Sequence, residues 1–274
     1  EKNLDSLMVL YTHTQHGQIG VFSHYLLAYA DFIFRDFQRL GEIYGRVNQS
    51  PLGACAIGGS SFNINRSRTA SLLGFDGIVE NSIDAVGSRD FAIEVVAELS
   101  ILMSNLSRIS EDFILWSTEE YGYLEIAEEY SSTSSVMPQK KNPCTLELIR
   151  GKAGEVHGAL INLLTILKGL PTGYNRDLQE TKSPLWLSFD TANSSVEVLE
   201  GVVKTLKVSK ERMQQAASKS YAVATDLAEK LVREKGLSFR QAHRLVGELV
   251  REAVKANRKM ADLEPETVKT LSGR

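Results

Sequence analysis

Phe91-Ala-Ile-Glu-Val-Val-Ala-Glu-Leu-Ser-Ile-Leu-Met-Ser-Asn-Leu-Ser-Arg-Ile-Ser-Glu-Asp-Phe113 is the stretch whose reading decides the fold. Phe91, Val95, Leu99, Leu102, Leu106, Ile109 and Phe113 recur every three or four positions. That spacing puts large apolar side chains on one stripe of a long helix. The same spacing returns in Leu146, Ile149, Ala153, Val156, Leu160, Leu163 and Leu167, and in Phe189, Ala192, Val196, Leu199, Val203 and Leu206. Such seams, with a period near 3.5, are the packing geometry of helix bundles. Upstream, the segment from about Gln18 to Asn48 carries Phe22, Tyr25, Leu26, Tyr29, Phe32, Ile33, Phe34, Phe37, Leu40 and Tyr44. It predicts a helix apolar over more than half its circumference, buried deep in a bundle or at a subunit interface. Period-two alternation is scarce, so the expected fold is all-α.

Punctuation sets the boundaries. Pro143 and Pro184 fall where helices are expected to begin, a position that tolerates the missing amide hydrogen, with Ser183 as a candidate cap for the second. Ser50 to Asn65 and Tyr130 to Asn142 are rich in turn formers. After Val208 the helices become shorter and more charged, Gly236 reads as a helix stop, and Ser238-Phe-Arg-Gln241 as a capping box. The expected organisation is a central long-helix domain over residues 1–208 and a small helical domain over 209–274.

Composition narrows the function classes. Among 274 residues, 31 Lys and Arg face 34 Asp and Glu for a net charge of −3, which lacks the basic footprint of a nucleic-acid binder. The longest mostly apolar run, Ala159 to Leu167, contains Asn162 and is too short to cross a bilayer, so no membrane span is expected. Two cysteines, Cys55 and Cys144, make no disulfide framework, which fits a reducing cytoplasm. His16, His24, His157 and His243 show no metal-ligand spacing, and no metal is expected. Gly58-Gly59 follows no expected strand and so makes a poor nucleotide loop. Cys144, just inside a helix N-terminus, reads as a small packing residue or a thiol of lowered pKa.

The chemically informative segment is Ser131-Ser-Thr-Ser-Ser-Val-Met-Pro-Gln-Lys-Lys-Asn-Pro143, a polar loop running straight into a helix. Its stretch Ser134 to Pro143 resembles the signature loop of the aspartase and fumarase superfamily, whose members break a C–N or C–O bond by β-elimination and release fumarate. Tyr11-Thr12-His13-Thr14-Gln15 looks like the Thr-His element of that superfamily, and Thr172-Gly-Tyr-Asn-Arg-Asp-Leu-Gln-Glu-Thr-Lys182 is similar to a segment of argininosuccinate lyases and their lens relative δ-crystallin. The likeness runs over essentially the whole chain. It implies a long-helix bundle of the aspartase and fumarase type, a homotetramer with sites shared between chains, and argininosuccinate as substrate, cleaved to arginine and fumarate in arginine biosynthesis or the urea cycle. No cofactor is implied, because the chemistry is proton transfer and electrostatics. A non-catalytic relative of the δ-crystallin kind, or a fumarate-releasing lyase with another leaving group, such as adenylosuccinate lyase or aspartase, stands as the alternative.

The resemblance also implies roles. Ser134 is the base, a hydroxyl too weakly acidic to serve unaided, which Lys140 and the helix N-terminus after Pro143 must activate. His13 acts as or near the general acid, oriented by Glu147 of another subunit. Thr12 donates a hydrogen bond to substrate, Asn142 and Lys140 bind carboxylate, and Tyr174, Gln179, Lys182 and Arg89 bind substrate. Each has a plainer reading: a serine-rich linker, a packed histidine, a solvated glutamate, a salt bridge at the start of a helix for Arg89. The chain departs from the superfamily at Gln15-His16-Gly17-Gln18-Ile19, at Phe62-Asn63-Ile64-Asn65-Arg66, and in lacking a substrate-binding region before the Thr-His element. These 274 residues are therefore expected to be a portion of a longer chain, with little lyase activity alone.

Overall fold

The computed structural model describes residues 3–133, 136–137 and 140–262. A hairpin of β1 (Leu7–Thr12) and β2 (Gln15–Val21) leads into α1 (Phe22–Val47). Then follow α2 (Arg66–Leu72), α3 (Ser82–Gly87), α4 (Asp90–Ser117), α5 (Cys144–Leu167) and α6 (Lys182–Thr205). The series ends with α7 (Lys210–Lys219), α8 (Val223–Lys235) and α9 (Phe239–Lys255). Long helices dominate, as the all-α reading requires. No helix among the described residues is long and apolar enough to cross a membrane.

By internal contacts the chain forms two units, and neither is one continuous segment. The first gathers the N-terminal residues through Ala28, Glu120–Tyr123 and the residues from Val208 onward; the second holds Tyr29–Glu119 and Leu124–Lys207. The expected division at 208/209 assigned the N-terminal hairpin to the central domain, whereas its contacts group it with the C-terminal helices.

In the second unit α4, α5 and α6 lie antiparallel in turn. Arg150 of α5 pairs with Glu111 of α4, and His157 Nε2 lies 2.9 Å from Ser104 Oγ and 3.1 Å from the Ser100 carbonyl, so residue numbers rise along one helix as they fall along the other. Thr191 of α6 reaches Glu155 of α5 at 3.3 Å. The α4 seam is buried from Val95 through Phe113, with only Phe91 at its start exposed. The α5 seam is buried at Leu146, Ile149, Ala153, Val156 and Leu163.

Two sequence expectations fail here for physical reasons. The seam expected on α6 is only half buried: Ala192 and Leu199 are inside, but Phe189, Val196 and Val203 are exposed, and Ser188, Thr191, Ser195 and Val202 share the buried face. Small residues win the inner face because they let the helix approach closely, and Ser188 and Ser195 satisfy their hydroxyls on the carbonyls of Pro184 and Thr191. Ser183 does not cap α6, because a 3-10 turn over Arg176–Thr181 runs directly into it and the Lys182 N–H already serves the Gln179 carbonyl. Pro143 sits one place before α5, as its N-cap, and Pro184 in the first turn of α6.

The opening helix begins later than expected, at Phe22, because residues 15–21 are strand. Gly20 lies under Leu10, where a Cβ would approach Leu10 Cδ1 to 2.7 Å, and glycines at 17 and 20 weaken any helix there. The Phe22 N–H donates to the Ser6 carbonyl at 2.9 Å and closes the hairpin. Along α1 only Phe22, Tyr29, Asp36 and Ile43 are buried, a spacing of seven, while Leu27, Phe34, Phe37 and Tyr44 are exposed. Within one chain, then, α1 is not the deeply buried helix its composition suggests.

In the first unit, α8 and α9 pack around Ala228, Ala242 and Val246. The Ser238–Gln241 capping box is formed, and Gly236 ends α8 at φ 64°.

The second unit also buries a carboxylate pair between α1 and α4. Asp36 accepts from Arg39 Nη1 and Asn105 Nδ2, each at 2.8 Å. Glu98 Oε1 has no hydrogen-bond partner among the described residues, and Arg39 Nη1 stands 3.8 Å away. Burial pushes the Glu98 carboxyl from 4.5 up to about 7, with the Arg39 charge opposing and Asp36 assisting. A carboxyl with a raised folded pKa stabilises fully below its unfolded value, and the effect is lost as pH rises through its folded value. Wild-type melting temperature should therefore carry a component that falls between about pH 4.5 and 7, and Glu98→Gln should remove it, so that the variant gains on wild type across that window in thermal melts.

Candidate functional site

The residues implicated by sequence fall into three groups, placed by different elements. The first is the hairpin tip. Thr12 ends β1, and His13 and Thr14 form a two-residue turn with φ of 54° and 57°. Left-handed backbone at both positions is the geometry tight hairpins need, here supplied by residues other than the usual Asn-Gly. Thr12 and His13 are both exposed.

The second group surrounds the start of α5. Ser134, the expected base, lies outside the described residues, as does Ser135. On either side of them Ser132–Thr133 pairs antiparallel with Lys141–Asn142, so the loop is closed at its base by a short ladder. The Lys140 N–H donates to the Met137 carbonyl at 3.0 Å, and the Lys140 side chain is exposed. Its neighbour Lys141 is held by Glu125 at 3.1 Å and Glu128 at 3.3 Å, which holds the Lys141 ammonium above its ordinary pKa. The N–H groups of Leu146 and Glu147 close on the Pro143 carbonyl at 3.0 and 3.1 Å, which starts α5 immediately after Asn142. Glu147 is exposed in that first turn, off the buried seam of Leu146 and Ile149. Ser132 Oγ lies 2.7 Å from Cys144 Sγ, so the half-buried thiol braces the ladder.

The third group lies where α3 meets α4 and where the 3-10 turn meets α6. Arg89 is the N-cap residue of α4, and its guanidinium donates to the carbonyls of Val86 and Ser88, so among the described residues it is held by carbonyls and not by the helix-start ion pair that was the plainer reading. Arg89 and Lys182 line one cavity of about 980 Å³, together with Ser88, Arg46 and Trp186. Gln179 Nε2 donates to the Tyr174 hydroxyl at 3.0 Å, and Gln179 and Lys182 follow each other on one helical turn. The two strips of chain touch through glycine. A Cβ on Gly87 would come within 2.8 Å of the Gly173 carbonyl oxygen and 2.9 Å of its Cα, and Gly173 itself takes φ 103°. This backbone contact ties Tyr174 to Arg89; its trace in the sequence is Gly173 next to Tyr174 and Gly87 two positions before Arg89.

Groups two and three belong to the same unit yet stand at opposite ends of it. Lys140, Asn142 and Glu147 sit at the beginning of α5, whereas Arg89 and Lys182 sit beside its end, because α4 and α6 both run antiparallel to it. Twenty-four residues at about 1.5 Å per residue separate them by about 36 Å. No small substrate spans that gap. Among the described residues no group of three or more His, Cys, Asp or Glu side chains is gathered to hold a metal ion.

A family model described as lyase matches residues 1–158. The chain belongs to the lyase family. A second model, described as argininosuccinate lyase C-terminal, matches residues 221–274. Among curated relatives, the argininosuccinate lyase of Nitrosopumilus maritimus is 50% identical over 264 residues, covering 96% of this chain and 54% of its own. That of Methanosarcina barkeri is 48% identical over 276 residues, covering 100% and 56%. The chain thus spans about half the length of the curated relatives it matches. The solved structure of EDDS lyase in complex with formate superposes with a TM-score of 0.92 at 37% identity, over 99% of this chain and 54% of that one. A class II fumarase from Schistosoma mansoni shares the fold, at TM-score 0.81 and 16% identity over 94% of this chain and 57% of that one.

If the Gly87–Gly173 contact holds the third group together, Gly87→Ala should destabilise the chain by about 1–3 kcal/mol through overpacking. Gly247→Ala, whose Cβ would meet nothing within 4 Å, serves as the control and should be neutral or mildly stabilising in the same denaturant titration.

Proposed function

We propose that the chain forms part of an argininosuccinate lyase that eliminates arginine from argininosuccinate and releases fumarate. The observation that carries this reading is that the start of α5 and the Arg89 and Lys182 cavity stand at opposite ends of one unit, in a chain whose curated relatives of about 50% identity are argininosuccinate lyases. A homotetramer supplies the missing proximity, with each site drawing its groups from different chains. The outward apolar side chains of α1 and α6, including Phe34, Phe37, Trp186 and Phe189, offer surface for such an assembly. Both cysteines are free thiols, which agrees with a cytoplasmic enzyme of arginine biosynthesis.

The chemistry follows from residue types. Ser134 takes the proton from the succinyl carbon beside a carboxylate, the electron pair forms the carbon–carbon double bond, and the C–N bond to the guanidino nitrogen breaks. The carboxylate that gains charge in between is held by Lys140, Asn142 and the N-terminus of α5, where positive dipole and cation act together. The departing nitrogen takes a proton on the side served by His13, which Glu147 of a neighbouring subunit orients. Thr12 donates to the substrate, and Arg89, Tyr174, Gln179 and Lys182 hold its arginine portion. The proton inventory closes without a redox cofactor, pyridoxal or metal.

Ultraviolet absorbance of fumarate, measured with the full-length protein on argininosuccinate, adenylosuccinate and aspartate in parallel, tests the reading. Turnover of argininosuccinate alone supports it, and turnover of another substrate instead contradicts it. Ser134→Ala should lower kcat by about a thousandfold or more while leaving substrate binding largely intact, and Ser135→Ala should cost much less. A dead Ser135→Ala with an active Ser134→Ala would reassign the base.

A further inference from the structure

The His13–Thr14 turn is held in place by an aromatic cluster that the reaction scheme above does not use. Both residues have positive φ, and Thr14 is β-branched, so this backbone persists only where its surroundings over-determine it. A two-stranded hairpin alone is a weak constraint. The register of the hairpin shifts between Leu10 and Tyr11, and the Tyr11 N–H leaves the ladder to donate to the Tyr25 hydroxyl at 2.9 Å. The Tyr11 and Tyr123 hydroxyls meet at 2.7 Å, and the Tyr123 carbonyl in turn accepts from the Ser209 N–H at 2.9 Å. The Tyr11 ring meets His16 and Tyr121 edge-on, at centroid distances of 5.4 and 5.8 Å. His16, opposite Tyr11 in the register, places Nδ1 2.9 Å from the Ser220 hydroxyl, which also accepts from the Ala222 N–H. Burial pushes the Tyr11 and Tyr123 hydroxyls above the ordinary tyrosine pKa, so both remain protonated hydrogen-bonding groups. Every one of these residues lies in the first unit, and Tyr11 is two positions from His13.

We propose that Tyr11 is a positioning residue: bound through its N–H to Tyr25 and through its hydroxyl to Tyr123, it fixes the left-handed His13–Thr14 turn and so aims the His13 imidazole at substrate. The inference rests on the lyase reading for what His13 does, but not for what Tyr11 does to the turn. Were the cluster simple core packing, loss of one hydroxyl would lower stability and leave kcat alone. If it aims His13, loss of the hydroxyl must fall on the chemical step, because a small misplacement of a catalytic group is felt there first.

The experiment uses the full-length protein with Tyr11→Phe, Tyr25→Phe, Tyr123→Phe and the double variant Tyr11→Phe/Tyr123→Phe, each of which keeps the rings. Hydrogen exchange of the peptide spanning residues 8–21 should quicken by about fivefold or more in each variant, with exchange elsewhere unchanged. kcat on argininosuccinate should fall by about tenfold or more, with KM within about threefold and the His13-dependent limb of its pH profile displaced. The double variant should be no worse than Tyr11→Phe, since the two hydroxyls share one bond. Unchanged exchange in the hairpin overturns the clamp. Faster exchange with kcat unaltered, or a rise in KM alone, overturns its part in catalysis. A wild-type protein that releases no fumarate from argininosuccinate overturns the functional reading instead, and the exchange measurement still decides whether Tyr11 holds the turn.

Discussion

The antiparallel packing of α4, α5 and α6 is the constraint on which the rest depends. Each is a helix of 24 or more residues, so whatever starts at one end of the bundle finishes far from it. The buried seams that enforce this, Val95 to Phe113 on α4 and Leu146 to Leu163 on α5, leave no freedom to slide, because a shift by one turn would expose Leu and Phe and break the Arg150–Glu111 and His157–Ser104 pairs. Rigid length is what separates the start of α5 from the Arg89 and Lys182 cavity. In the proposed assembly each end is lent to a different neighbour.

The same logic explains the surface. Ser188, Thr191 and Ser195 share the inner face of α6 with Leu199 and Val202, which lets the helix come close but leaves its aromatic side chains outside. Trp186, Leu187, Phe189, Val196 and Val203 are then exposed on one chain, and so are Leu148 and Ile161 of α5 and Phe34 and Phe37 of α1. Large apolar side chains exposed in that number are unusual on a surface that water alone covers. In the proposed tetramer they supply the association energy, and the site geometry comes with it.

Much of this was legible in the sequence, and the parts that were not share a cause. Large apolar residues at regular spacing located α4 and α5, and cap chemistry located α9, because each is a local property. The inner face of α6 was misassigned because periodicity weighs hydrophobicity, whereas close helix approach selects small side chains. The β1–β2 hairpin went unseen because its buried residues, Met8 and Val9, are adjacent and do not alternate, and because its turn is His-Thr in place of Asn-Gly. For the candidate site, the motif letters pick out Lys140, Asn142 and Glu147, which lie at the α5 start, and Tyr174, Gln179 and Lys182, which lie towards the other end. Sequence order could not reveal that Gly87 backs onto Gly173, nor that Tyr11 is gripped by Tyr25 and Tyr123, since those contacts are made across the fold.

In the proposed assembly one functional site draws on opposite ends of different chains. Full-length Lys140→Ala and Lys182→Ala proteins, each inactive alone, can be unfolded, mixed in equal amounts and reassembled, and fumarate release from argininosuccinate then measured. Random assembly leaves about a quarter of the sites with both lysines intact, so the mixture should recover about a quarter of wild-type activity. A mixture as inactive as its parents, under conditions where wild type reassembles to full activity, would mean that each site is built within a single chain, and would contradict the account.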